Sequence, residues 1–195
     1  EAACNTRTVA ILLNTPSNPA GVVFSEDFTR QLGEWCLAKG LRVISDEMYC
    51  SLTYNGAKHY SPLVVVPELQ KTSAWIGGMS KSFAMTGWRI GGSIGPKEII
   101  KHISKLNVNA ESCTTHFIQD AMVEALNGDQ SGPQYLLKTL KERRDATVNG
   151  LNAINGINVA LPKSTFYVFP NVNEILRFKG MTKVEELLEL MKINE

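Results

Sequence analysis

At 195 residues, with 44% hydrophobic and 20% charged side chains, the chain has enough apolar material for one sizeable core and the beginning of a second. Its 20 basic and 19 acidic side chains leave a formal charge of +1, which supplies no field for gathering nucleic acid or an anionic membrane surface. The longest apolar stretches, residues 9–13 and 63–66, are far too short to span a bilayer. The N-terminal residues lack the basic and apolar regions of a signal peptide, so a cytoplasmic setting is expected.

Residues 9–13 form an apolar run followed by Asn14-Thr15-Pro16-Ser17-Asn18-Pro19-Ala20-Gly21, whose prolines, asparagines and glycine predict a strand ending in a structured loop. Ser25 is placed to cap a helix, with Glu26 and Asp27 in the first turn where the dipole favours negative charge. Phe28, Leu32, Trp35 and Cys36 then recur at helical spacing, and Gly40 ends the helix. Residues 41–45 predict the next strand, so residues 9–45 read as a βαβ unit with parallel strands.

A third strand is expected over residues 73–77, followed by a loop through Lys81 and a fourth strand over 89–94 returning antiparallel. Pro96 at a first turn predicts a helix over 97–104, and residues 116–126 predict another. Gly132-Pro133 opens a longer helix reaching about Asn155, with Tyr135, Leu136, Leu140 and Val148 as its apolar positions. Residues 166–169 read as a strand and 184–191 as a helix. A domain change is placed near residue 145, where the parallel pattern stops. The scattered cysteines Cys4, Cys36, Cys50 and Cys113 form no CxxC pair and predict reduced thiols, with no metal site. The sequence begins at Glu1 without a methionine, which points to a processed protein, a fragment or a partial sequence.

In an open α/β sheet, ligands bind beyond the carboxyl ends of the strands, and Asn18, Asp46 and Lys81 fall at three such ends. Taken singly, each has an ordinary reading. An aspartate there caps a turn, a lone lysine is solvated, Tyr49 is a packed aromatic, Ser80 is a loop hydroxyl and Arg89 joins a surface ion pair. His59, His102 and His116 have no ligand-like companions and read as ordinary histidines.

The conjunction changes that reading. NTPSNPAG, DEMYCSLTYNG and SKSFAMTGWRIGG, in this order, resemble the aminotransferases of classes I and II, in the branch containing bacterial-type aspartate aminotransferases. The resemblance runs over residues 9–169. Ala20 stands where the family usually has threonine, and Gly78 where many relatives have serine or threonine, so one phosphate donor is absent or replaced by a backbone amide.

The resemblance implies an α/β fold, the three-layer, mostly parallel sheet of the fold type I large domain. Residues 1–145 would form that pyridoxal-phosphate-binding domain without its N-terminal part, and residues 146–195 would begin a small α+β domain. Lys81 would form the Schiff base with pyridoxal phosphate and, once released, act as the base. Asp46 would face the pyridine nitrogen, Asn18 and Tyr49 the ring's phenolic oxygen, and Arg89 with Ser80 the phosphate. The implied activity moves an amino group between an amino acid and a 2-oxo acid, in a homodimer when full-length. No metal, nucleic-acid or membrane partner is expected.

Two parts of the family's site have no counterpart in the sequence: an upstream glycine-rich phosphate cup with its stacking aromatic, and a downstream arginine for the substrate carboxylate. Arg177, the sole arginine after residue 150, lacks the context of the latter. The isolated chain is therefore expected to hold the cofactor weakly and transaminate poorly. A C–S lyase, a cyclopropane-forming synthase, an aminotransferase-like regulator domain and an inactive fragment are the alternatives. Nothing resembles a DNA-binding unit.

Overall fold

A computed structural model describes residues 3–192. Strand β1 (Ala10–Asn14) leads to helix α1 (Glu26–Ala38) and strand β2 (Arg42–Asp46). The two strands pair in parallel, with Leu12 opposite Ile44 and Asn14 opposite Asp46. The predicted cap is present: Ser25 accepts a hydrogen bond from the Phe28 amide, satisfying one of the amides that a first helical turn leaves free. Gly40 follows the helix at φ +67°, a left-handed turn that glycine adopts at little cost.

A short helix α2 (Pro62–Val65) and a 3₁₀ turn (Pro67–Lys71) precede strand β3 (Ala74–Gly78), which joins β2 in parallel. Strand β4 (Gly91–Ile94) returns antiparallel to β3, so the sheet runs β1-β2-β3-β4. Helices α3 (Lys97–Ala110), α4 (His116–Asn127), α5 (Ser131–Asn152), α6 (Asn173–Phe178) and α7 (Val184–Lys192) follow. Pro96 stands at the N-cap position of α3, one residue ahead of the first turn expected for it, and that helix runs six residues beyond the predicted end at 104.

The core lies on one face of the sheet. Cys36 of α1, Leu41, Val43 of β2, Leu63 of α2, Val66 and Leu69 are buried together, with Ile11, Leu13 and Trp75 packed against them. Each fully buried aliphatic of this set contributes about 1.5–3 kcal/mol relative to exposure. The opposite face presents Leu12, Ile44 and Ile76 to solvent.

Helix α5 passes residue 145 unbroken and ties the later residues to the earlier ones. Its buried Arg144 donates to the Pro162 carbonyl at 2.9 Å and lies 4.4 Å from the centre of the Tyr54 ring. The strand expected over residues 166–169 does not form. Its run of aromatic and β-branched residues has a strand's composition, but Phe166 and Tyr167 turn toward Tyr49, and the nearby backbone makes isolated bridges at Thr53–Ser164 and Asn158–Asn171. The four cysteines are free thiols. None of the described helices is long and apolar enough to cross a membrane.

Candidate active site

The site grows from the C-terminal ends of the three parallel strands. Asn14, the last residue of β1, fixes the loop that follows it. Its Oδ1 accepts the Asn18 amide at 2.6 Å, and its Nδ2 donates to the Asp46 carbonyl at 3.4 Å. The Thr15 amide donates to the same carbonyl at 3.0 Å. The loop closes at Gly21, whose φ is +64° and where an added Cβ would stand 2.6 Å from the Pro162 side chain. Only glycine meets both conditions without a shift.

Asp46 ends β2. One of its carboxylate oxygens accepts the Met48 amide at 3.3 Å, holding the turn that carries Tyr49. Tyr49 is buried, and its Oη lies 3.5 Å from Asn18 Nδ2 and 2.9 Å from Tyr167 Oη. Burial, then the hydrogen bond to Tyr167, raises the Tyr49 phenol well above its ordinary pKa, so it keeps its proton at any working pH.

Lys81 lies in the turn after β3, half-buried, with Nζ 5.4 Å from the centre of the Phe166 ring. A cation over a ring face at that range is weakly stabilised. Arg89 adopts φ +53°, a left-handed conformation uncommon outside glycine, and its Nη1 donates to the Thr86 carbonyl at 2.7 Å. Ser80 and Arg89 border a cavity of about 540 Å³ with Met48, Gly77 and Ile90; Asp46, Tyr49 and Lys81 do not line it. Gly78 has a structural reason. An added Cβ would stand 3.0 Å from both the Gly91 Cα and the Ile90 carbonyl, so a side chain there requires the β3–β4 pair to move apart.

The sequence matches the family description "Aminotransferase class I and II" over residues 1–194. The chain belongs to the class I and II aminotransferases. It is 39% identical to an aspartate aminotransferase of Geobacillus stearothermophilus over 96% of its length and 49% of that protein. It is 37% identical to an asparagine–oxo-acid transaminase of Streptococcus mutans, over 95% of this chain and 47% of that one. Among solved structures, an aromatic aminotransferase from Pyrococcus horikoshii superposes with a TM-score of 0.89 at 31% identity, over 97% of this chain and 49% of that one. An aspartate aminotransferase from Rhizobium meliloti gives 0.85 at 38%, over 89% and 44%. The chain thus spans about half the length of the curated relatives it matches.

Two features of this aminotransferase chain were not visible as motifs. The first is the aromatic pair Phe166 and Tyr167, whose sequence signal was only a strand-like composition. The second is a buried network behind Asp46. Glu47, 3% exposed, accepts from Ser45 Oγ at 2.8 Å and Ser61 Oγ at 2.6 Å, and pairs with His59 Nε2 at 2.6 Å. His59, an ordinary histidine by sequence, here holds a buried carboxylate.

Burial pushes the Glu47 carboxyl up most strongly, but the hydrogen bonds from His59, Ser61 and Ser45 together outweigh it and leave its pKa below the usual value. The stability it contributes is therefore present above the unfolded value of about 4.3 and lost as pH falls through the lower folded value. Removing one partner of such a buried pair costs about 3–5 kcal/mol. We expect His59→Ala to lower the urea midpoint strongly at pH 7, with the difference from the parent shrinking only as pH falls through the lowered folded value of Glu47, where the carboxyl becomes neutral in both. Equal urea midpoints at pH 7 would contradict this account of Glu47.

Proposed function

We propose that the protein carrying this chain is a pyridoxal-phosphate-dependent aminotransferase that moves an amino group between an amino acid and a 2-oxo acid, with Lys81 as its reactive amine. The observation that carries the reading is the arrival of a carboxylate, two neutral donors and a lysine at the ends of three adjacent parallel strands. That donor set fits the family's cofactor. An amine suits an aldehyde, Asp46 a protonated pyridine nitrogen, Asn18 and Tyr49 a phenolate oxygen, and Arg89 with Ser80 a phosphate.

When bound, pyridoxal phosphate supplies an aldehyde that captures amines and a ring that draws electrons from the substrate's α-carbon. Lys81 Nζ would hold the cofactor covalently and, once free, would serve as the base that moves the proton of the substrate's α-carbon. The Asp46 carboxylate keeps the proton on the pyridine nitrogen by ion pairing. Asn18 Nδ2 and Tyr49 Oη donate to the phenolic oxygen. Arg89 would hold the phosphate through its planar fork, with the Ser80 hydroxyl and the Gly78 backbone amide as further donors.

We assign residues 1–145 to the cofactor-binding large domain and 146–195 to the opening of the small domain, in a cytoplasmic homodimer. The exposed apolar face carrying Leu12, Ile44 and Ile76 supports further covering by protein in the complete assembly.

A coupled assay tests the activity. With pyridoxal phosphate and 2-oxoglutarate, the full-length protein that carries this chain should convert aspartate, alanine or an aromatic amino acid to its keto acid, forming glutamate in equal amount at about 1 per second or faster, whereas residues 1–195 alone should fall well short of that rate. Ammonia and pyruvate released from a β-substituted amino acid, with no glutamate formed, would replace transamination by lyase chemistry.

A further inference from the structure

Outside the three motif segments, residues 164–167 also reach the site, and their backbone is pinned from several sides. The Ser164 amide donates to the Gly21 carbonyl at 3.2 Å and the Thr165 amide to the Leu52 carbonyl at 2.9 Å. The Tyr54 hydroxyl donates to the Thr165 carbonyl, and the Tyr167 amide to Thr165 Oγ1 at 3.2 Å. Thr165 is buried at φ +65°, a conformation that a β-branched residue keeps only when its surroundings impose it. Tyr167 is thus carried on backbone fixed to both the loop after β1 and the segment after β2.

The hydrogen-bond inventory of Tyr49 then becomes informative. Its Oη has one proton to give and two lone pairs. Asn18 Nδ2 can only donate, so it faces one lone pair. Tyr167 Oη, at 2.9 Å, can take the proton or fill the second lone pair. If Tyr49 gives its proton to Tyr167, none remains for a ligand oxygen in front of it.

We propose that Tyr167 is a positioning residue: with the cofactor bound it donates to Tyr49 Oη, so that Tyr49 directs its own proton at the phenolic oxygen. This rests on the pyridoxal-phosphate reading above. Donation into Tyr49 also polarises its O–H bond and makes it the stronger donor. Phe166 holds the geometry, edge-on to Tyr49 with centroids 5.8 Å apart and beside Lys81 Nζ. Asp46 is the charged group acting on the same phenol, and it is unchanged in the variants below.

The test compares the parent, Tyr167→Phe, Tyr49→Phe and the double variant, each loaded with pyridoxal phosphate. The pH midpoint of the bound cofactor's absorbance change is the readout. Loss of a donor to the phenolate raises that midpoint, so Tyr167→Phe should shift it upward by about half a unit or more, in the same direction as Tyr49→Phe. The double variant should shift no further than Tyr49→Phe alone, because Tyr167 acts only through Tyr49. A purely structural Tyr167 would lower the thermal midpoint and leave the pH midpoint in place, which would overturn the proposal. Additive shifts would also overturn it. Borohydride fixation in the parent separates the two levels: label at Lys81 with an unmoved midpoint in Tyr167→Phe defeats this proposal alone. Absence of label at Lys81 defeats the cofactor reading and this proposal with it.

Discussion

Lys81→Ala is expected to abolish covalent retention of pyridoxal phosphate and to lower amino-group transfer by roughly 10²–10⁴-fold through loss of the base alone. Loss of covalent capture adds to that. The side chain is half-buried, with the face of the Phe166 ring as its described contact, so the fold should survive the change nearly intact. Thermal unfolding measured beside the coupled assay separates the two effects. A folded, active Lys81→Ala protein would contradict the role assigned to the amine, and an unfolded one would contradict the expectation that the fold survives.

Asp46→Asn should slow proton abstraction much more than it weakens cofactor uptake. Asparagine keeps an oxygen to accept the Met48 amide, so the turn that carries Tyr49 is preserved. The charge that holds the pyridine nitrogen protonated is lost. An ion pair worth roughly 3 kcal/mol corresponds to about two orders of magnitude in rate, since each 1.36 kcal/mol is a factor of ten. Single-turnover kinetics at saturating cofactor measure that step. A rate within about twofold of the parent would leave Asp46 as a turn residue only.

How much of this was legible from sequence varied with the range of the interactions. The βαβ unit was, because its signals are local: the Ser25 cap, the spacing of Leu32 and Cys36, and the left-handed turn at Gly40 each act within a few residues. The antiparallel return of β4 was legible for the same reason. The placement of Asn18, Asp46 and Lys81 at strand ends followed from those strands. Residues 166–169 misled because a short aromatic and β-branched run forms a strand only if a ladder partner exists, and here the rings pack on Tyr49 from a sequence distance of 117 or more residues. The Glu47–His59 pair was hidden similarly: DEMY announces its aspartate, while the glutamate beside it acquires meaning only when Ser61 and His59 fold back over it.

The central claim is that Lys81 is the amine that holds the cofactor. Incubation with pyridoxal phosphate, reduction with borohydride and peptide mapping test it directly. The account predicts the reduced cofactor on one peptide, the one containing Ser80-Lys81-Ser82-Phe83, and none on that peptide in Lys81→Ala. Label concentrated on another lysine such as Lys97, or spread over several, would contradict it.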